Sequence, residues 1–255
     1  MIISSNKKHN IVWAALFLLF SFFALYIMLK SSVFEVRQVR IIVDGNILSS
    51  KDVELSHFIQ ISGIKTGENI FKLNLTEAEK KILALPEVKE VRITRKFPST
   101  IIIDILQRKP VAMLLCGDYF MEIDIDGICL RKEQISKIYF PIITWKGYNN
   151  NIKTICANTN TGDRIEYKPV VIALQVIEDL PQELVDMLSE VHIADERIRI
   201  YTIDGIQGRL GRPLEIEQKG SVFFEILKEI SEDKNIEYID VKSLKTPAVK
   251  YRNGD

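Results

Sequence analysis

Residues 85–112 read LPEVKEVRITRKFPSTIIIDILQRKPVA, and their pattern decides how the first half of the chain folds. Apolar and polar side chains alternate over 88–94, which is typical of a strand with one buried face. A Phe-Pro-Ser turn follows at 97–99, and residues 100–107 then carry isoleucine at 101, 103 and 105. The segment therefore predicts two antiparallel strands joined by a turn.

A further strand and a helix are predicted upstream. Residues 34–43 carry apolar side chains in a strand-like run, and they end in the turn signal Asp-Gly-Asn at 44–46. A helix is then expected, with Ser49 or Ser50 as its N-cap and Gly63 as its stop.

A second helix is predicted before residue 85. Thr76 and Glu79 have the spacing of a capping box, in which both side chains bind free amides of the first turn, and Pro86 ends the helix. The order strand, helix, helix, strand, strand is a two-layer solution with both helices on one face of a small sheet.

The N-terminal stretch predicts a membrane-spanning helix. Residues 11–29, IVWAALFLLFSFFALYIML, contain no charge, proline or glycine. Such a helix is about 28 Å long, close to the ~30 Å hydrocarbon thickness of a bilayer. Lys7 and Lys8 precede it without an acidic residue, so residues 1–10 are expected in the cytoplasm and the bulk of the chain outside. A cleaved signal peptide is the alternative, but the apolar run is long and no A-x-A cleavage pattern follows it.

The charge balance argues against nucleic-acid binding, and the cysteine content leaves a disulfide possible. Lys plus Arg and Asp plus Glu both number 34, so no basic footprint for nucleic acid exists. Cys116, Cys129 and Cys156 form no C-x-x-C pair. In an oxidising compartment one pair can bridge, and free thiols are the alternative; the sequence leaves the connectivity open.

Short strands dominate the second half of the chain. Hairpin or turn signals occur at 116–118, 126–127 and 204–205, and residues 146–167 are interpreted as a surface excursion. Helices are predicted behind Pro169 and over 222–230, and the last strands over 236–241 and 248–252.

Neither catalytic nor metal-binding chemistry is indicated. Asp124 and Asp126 invite a calcium interpretation, but the spacing lacks the further oxygen ligands and closing Glu of an EF-hand, so a hairpin turn is preferred. His9, His57 and His192 are scattered without a partner at metal-ligand spacing. No nucleophile-elbow, phosphate-loop or H-E-x-x-H motif is present. The sequence thus predicts no catalytic residue, metal or cofactor.

The segments FEVRQVRIIVDGN, GENIFKLNL and LPEVKEVRITRKFPSTIIIDILQRKPVA resemble the POTRA domain of the bacterial division proteins called FtsQ or DivIB. The specific part is Leu-Pro-x-Val at 85–88, Arg-x-Phe-Pro at 95–98 and Arg-x-Pro-Val-Ala at 108–112. The family usually has an acidic residue before that Arg, where this chain has Gln107.

The second half is similar to the β domain of the same family. The matching pieces are IDIDGICL, IYTIDGIQGRLG, Lys219 and YIDVK, whereas Lys242 stands where the family typically has Arg. The expected fold is α+β: a cytoplasmic tail (1–10), a transmembrane helix (11–29), a β-α-α-β-β POTRA domain (33–108) and a mixed β domain with flanking helices (109–255).

The final strand is the predicted interaction site. If residues 248–252 form an edge strand, their unpaired amides and carbonyls can be completed by a partner strand; the alternative is that they merely finish the sheet. The resemblance implies that these strands receive FtsB in complex with FtsL. The predicted partner-binding residues are Ser243, Ala248, Val249, Lys250, Tyr251 and Arg252.

The resemblance implies a non-enzymatic, single-pass scaffold of the divisome in the inner membrane at the division septum. Its N-terminus would be cytoplasmic and its bulk periplasmic, and the POTRA part would contact other division membrane proteins. A POTRA-type chaperone for secreted or outer-membrane polypeptides is the first alternative, and an anchored extracytoplasmic enzyme is the second. The chaperone is normally joined to a transmembrane barrel, whose long series of alternating strands is missing from this sequence.

Overall fold

A computed structural model describes residues 3–47, 53–134, 139–230 and 236–252. Its contacts divide the chain into two units, residues 1–107 and residues 108–255.

The first unit begins with helix α1 (Ile3–Leu29). Its described large apolar side chains are exposed. In the part of the chain that the structure describes, no helix combines the length and the apolar character that a membrane crossing requires. The prediction of a membrane-spanning helix over 11–29 is therefore not supported there.

A four-stranded sheet forms the centre of the first unit. Its strands are β1 (Gln38–Val43), β2 (Asn46–Ile47), β3 (Val88–Lys96) and β4 (Thr100–Gln107), in the spatial order β2-β1-β4-β3. Strand β4 runs parallel to β1 and antiparallel to β3. The three isoleucines of β4 at 101, 103 and 105 are fully buried because the alternation of the strand turns them all to the core. The hairpin predicted from residues 88–107 is confirmed.

Two helices complete this unit, α2 (Val53–Ser62) and α3 (Leu75–Leu83). The predicted order of strand, helix, helix, strand, strand is found, with the short strand β2 added after the turn at Asp44 and Gly45. The proposed N-caps Ser49 and Ser50 lie outside the described residues.

The predicted capping box of α3 is wrong. The cap is Asn74, whose side-chain oxygen accepts a hydrogen bond from the backbone N–H of Glu77 at 3.2 Å. The Glu79 carboxylate instead accepts the backbone N–H of Ile93 at 2.7 Å. Asparagine is at least as good an N-cap as threonine, and the cap at Asn74 starts the helix two residues earlier than a cap at Thr76 would.

A nine-stranded mixed sheet forms the second unit, in the order β13-β12-β11-β10-β9-β8-β5-β6-β7. These strands are β5 (Pro110–Leu115), β6 (Tyr119–Asp124), β7 (Cys129–Gln134), β8 (Ile142–Trp145), β9 (Leu188–Ala194), β10 (Arg197–Thr202), β11 (Gln207–Gly211), β12 (Ile236–Asp240) and β13 (Ala248–Tyr251). The helices are α4 (Tyr148–Asn158), α5 (Lys168–Asp179), α6 (Gln182–Val185) and α7 (Ile216–Glu229). The predicted helix behind Pro169 and both terminal strands are confirmed.

The interpretation of residues 146–167 as a surface excursion is wrong over α4. Ile152 and Cys156 lie four residues apart on that helix and are both buried. Cys156 forms a disulfide with Cys116, with the two Cα atoms 5.9 Å apart, and Cys129 is a buried free thiol. The connectivity that the sequence left open is thus Cys116–Cys156.

A candidate partner-binding edge

Strand β13 lies at one margin of the nine-stranded sheet. It pairs antiparallel with β12, with Val249 opposite Ile239 and Ala248 opposite Asp240. On its other side no strand is paired with it among the described residues. The predicted edge strand therefore exists, and the residues 248–251 lie on it.

One side chain of β13 packs against the core and the other three are exposed. Val249 is half-buried and packs against the core of the unit, whereas Ala248, Lys250 and Tyr251 are exposed. Arg252 follows the strand and is also exposed. Ser243 lies apart in the preceding turn, where its carbonyl accepts the backbone N–H of Thr246 at 3.3 Å. The structure thus brings the residues 248–252 together and leaves Ser243 in the connection from β12.

Neighbouring strands hold β13 from its inner side. The Lys250 Nζ lies 2.8 Å from a carboxylate oxygen of Glu237, and this hydrogen bond raises the pKa of Lys250. The ring of Tyr238 lies beneath Lys250, 5.5 Å away, and beneath the guanidinium of Arg209, 3.4 Å away. Sequence reasoning missed these supports, since Arg209, Glu237 and Tyr238 meet only through strand register.

A hydrogen-bonded row continues from Arg209 across the same sheet. Its Nε donates to the side-chain oxygen of Gln207 at 2.6 Å, and the Gln207 amide donates to the Tyr201 hydroxyl at 2.7 Å. Tyr201, Gln207 and Tyr238 lie in register on adjacent strands. The edge is therefore backed by fixed side chains rather than by loose ones.

Strand β7 forms the opposite margin of this sheet. It carries Arg131, Lys132 and Glu133 in succession. The Arg131 Nε lies 2.7 Å from a Glu122 oxygen and 3.3 Å from one of Glu133, and the hydrogen bond to Glu122 raises the pKa of Arg131. Consecutive charges are a common protection of an edge against strand addition. Of the two margins, β13 is the better suited to a partner strand.

The acidic pair considered for calcium has another role. Arg108 Nη1 lies 2.5 Å from Asp124 and 2.9 Å from Asp126, so one guanidinium forms ion pairs with both carboxylates. Among the described residues no group of three or more His, Cys, Asp or Glu side chains is placed to hold a metal ion.

The one histidine in the sequence of the second unit, His192, lies in a small polar cluster. His192 Nδ1 is 2.7 Å from the Thr144 hydroxyl, which also hydrogen-bonds to Glu190. Burial lowers the pKa of His192, and the carboxylate of Glu190 partly opposes that effect. The cluster joins strands β8 and β9.

Two family models match the chain. One is described as the POTRA domain, FtsQ-type, and matches residues 34–108; the other is described as Cell division protein FtsQ/DivIB, C-terminal, and matches residues 116–242. The first half is therefore a POTRA domain and the second a β domain of this type, in a mixed α+β chain.

Individual relatives agree with these matches. Cell division protein DivIB of Clostridium acetobutylicum is 28% identical over 178 residues, which cover 69% of this chain and 61% of that protein. Cell division protein FtsQ of Corynebacterium glutamicum is 38% identical over 69 residues, which cover 27% of this chain and 31% of that protein. The chain thus matches less than two thirds of the length of either relative.

A solved structure is similar at a lower level. The major extracytoplasmic domain of the trans isomer of DivIB from Geobacillus stearothermophilus covers 49% of this chain and 96% of its own, with 14% identity and a TM-score of 0.33. The two family models match one half each, and the chain belongs to the FtsQ/DivIB family of bacterial cell-division proteins.

Proposed function

We propose that this chain is a non-enzymatic scaffold of the division machinery, and that it receives a strand of a partner protein along β13. Family membership supports the role in division. The observation that supports the mode of binding is the position of β13, which has β12 on one side and no paired strand on the other among the described residues. Strand addition at such an edge takes affinity from main-chain hydrogen bonds and specificity from alternate side chains.

The chemistry of β13 suits an added strand. Ala248 and Tyr251 present small and aromatic surface, and Tyr251 is 46% exposed. Strand β13 carries one charged residue, Lys250, which is paired with Glu237, whereas β7 carries three in succession. Specificity would then come from the side chains of Ala248, Lys250 and Tyr251, while Val249 anchors the strand to the core.

The partners we propose are FtsB-like and FtsL-like single-pass division proteins at this edge. Other divisome membrane proteins would contact the POTRA domain, whose β3 is an edge strand of its own sheet. The site of action is the division septum.

We further propose that the β domain lies outside the cytoplasm. The Cys116–Cys156 disulfide supports this placement, since stable disulfides belong to oxidising compartments. Attachment to the inner membrane with a cytoplasmic N-terminus stays a prediction of the sequence. Protease added outside the intact inner membrane tests the placement of the β domain. Protection of the β domain until that membrane is broken would contradict it.

The test of the proposed edge is a proline substitution. Val249→Pro removes a backbone donor from β13 and should abolish co-purification with the FtsB-like and FtsL-like proteins from detergent extracts. Glu133→Pro makes the matched change on β7 and should leave co-purification intact. Tyr251→Ala, which keeps every backbone donor, should weaken it.

Circular dichroism of each variant establishes that the domain remains folded. Retained binding by a folded Val249→Pro variant, or equal loss with Glu133→Pro, contradicts the proposed edge.

A further inference from the structure

The disulfide of the β domain joins cysteines that are not consecutive in the chain. Cys116 follows β5, Cys156 lies near the end of α4, and Cys129 lies between them at the start of β7. Native pairing spans 40 residues, whereas Cys116 and Cys129 are only 13 apart. The native bond therefore skips the nearest available thiol.

Pairing of Cys116 with Cys129 is incompatible with the folded sheet. The N–H of Cys116 donates to the carbonyl of Tyr119, and Cys129 lies opposite Ile123 on the other side of β6. Four residues of strand separate these two positions along β6, a rise of about 13 Å. A disulfide requires Cα atoms within roughly 7 Å, so this bridge can exist only before β5, β6 and β7 have paired.

Chain statistics nevertheless favour the incompatible bridge in the unfolded chain. The probability that a loop closes is inversely proportional to its length raised to the power 3/2. This favours the 13-residue loop over the 40-residue loop by about fivefold. If the segment after residue 29 crosses the membrane in the order of its synthesis, Cys116 and Cys129 also arrive before Cys156.

After folding, Cys129 no longer takes part in exchange. Its side chain is fully buried, and its backbone N–H and carbonyl are bound to Asp163 and Gly162. Burial raises the pKa of its thiol to about 11, so little of the attacking thiolate exists at neutral pH. The third cysteine can therefore interfere only during folding.

We propose that this chain is a client of a thiol–disulfide isomerase, and that Cys129 creates the requirement. The proposal rests on the extracytoplasmic placement of the β domain argued above. The Cys156 thiolate attacks the Cys116 sulfur of a Cys116–Cys129 bridge, the Cys116–Cys156 bond forms, and Cys129 leaves as a thiolate that takes up a proton. The exchange is neutral in electrons. The isomerase accelerates it through a transient mixed disulfide from which its own thiolate is released.

The experiment is oxidative refolding of the full-length chain in detergent. Reduced, unfolded protein is placed in a glutathione redox buffer with or without a purified bacterial disulfide isomerase. Samples are quenched with an alkylating agent and their disulfides are mapped by mass spectrometry. Early samples of the wild type should contain about five Cys116–Cys129 bridges for each native one, and the isomerase should speed their conversion.

Cys129→Ala provides the matched variant. It should form the native bond directly, at a rate that the isomerase does not change. Direct formation of Cys116–Cys156 by the wild type overturns the proposal, as does an equal acceleration of both proteins. The early wild-type samples decide the matter even if the variant folds poorly. Because the experiment is done with purified protein, failure here would leave the proposed edge and placement untouched.

Discussion

The guanidinium of Arg108 lies 2.5 Å from Oδ2 of Asp124, and the two side chains are only 19% and 3% exposed. Asp124 Oδ1 also accepts the backbone N–H of Ile128 at 2.7 Å. Arg108 thereby ties the beginning of the β domain to the turn between β6 and β7. The acidic residue that the family usually carries at 107 is not needed for this pair, because Asp124 and Asp126 supply the carboxylates.

Arg108→Met should lower the free energy of unfolding of the β domain by about 2–4 kcal/mol, since it leaves the buried Asp124 carboxylate without its counter-charge. The measurement is urea unfolding followed by the fluorescence of Trp145, in a Trp13→Phe background.

Lys146→Met is the control for the loss of a single positive charge. It breaks the Lys146–Asp195 pair, in which both side chains are about 70% exposed, and should change stability by no more than about 0.5 kcal/mol. Equal changes in the free energy of unfolding for the two substitutions would show that the buried pair stabilises the domain no more than the exposed pair does.

Gly220→Ala should destabilise the β domain although alanine favours helix. A Cβ at 220 would lie 2.4 Å from Leu180 Cδ2 and 2.9 Å from Pro181 Cδ. The leucine can rotate away, but the proline ring is fixed to the backbone. Overpacking of this kind costs about 1–3 kcal/mol, which exceeds the gain of up to about 1 kcal/mol in helix propensity.

Ser221→Ala, at the next position of α7, tests that comparison. Its hydroxyl only donates to the Glu217 carbonyl within the helix, so we expect little change or a slight gain. The same urea titration serves both variants. A gain for Gly220→Ala would mean that α5 and α7 separate freely.

Local patterns predicted the strands well and the contacts between distant elements poorly. Alternation over 88–107 sufficed for the hairpin because one face of each strand must be buried. The N-cap of α3 was misassigned because Asn74 and Thr76 are both good caps, and only the tertiary use of Glu79 by Ile93 decides between them.

The edge at β13 was predictable in position but not in its supports. The short apolar run after Pro247 indicated the strand itself, whereas Arg209 reaches Tyr238 only through the parallel register of β11 and β12. The helix α4 was missed because the run of Asn149, Asn150 and Asn151 is typical of a surface loop, although two later positions of the helix are buried. The disulfide pairing stayed open because three cysteines allow three different bonds.

Acidification should weaken the β domain through His192. Burial holds the pKa of His192 below its usual value of 6.5, and Arg199, which lies opposite it on β10, lowers the pKa further. The Glu190 carboxylate, whose Oε1 lies 3.6 Å from His192 Nδ1, partly opposes this shift. As the pH falls below 6.5, the unfolded chain takes up the proton first and folding becomes less favourable. The loss continues until the pH reaches the lowered pKa of the folded state.

His192→Gln should therefore flatten the dependence of stability on pH over this window. His57→Gln changes an exposed histidine of α2 and should leave the wild-type dependence of the β domain unchanged. Urea midpoints at a series of pH values provide the measurement. A steep loss below pH 6.5 that persists in His192→Gln would assign the effect to other groups.

Reduction of Cys116–Cys156 should destabilise the β domain by about 4 kcal/mol, the value that loop-closure entropy gives for a 40-residue span. The bond fastens α4 to the end of β5, where the Tyr148 hydroxyl also bonds the backbone N–H and carbonyl of Leu115, each at 2.9 Å. These hydrogen bonds remain after reduction, so the domain should stay folded without denaturant and unfold at a lower urea concentration.

The double variant Cys116→Ser/Cys156→Ser separates this effect from a general action of the reductant. It should unfold at the lowered urea concentration whether or not reductant is present, whereas Cys129→Ala should keep the full response to reduction. An unchanged midpoint of the wild type on reduction would contradict the prediction, because it would mean that the disulfide does not reduce the conformational entropy of the unfolded chain.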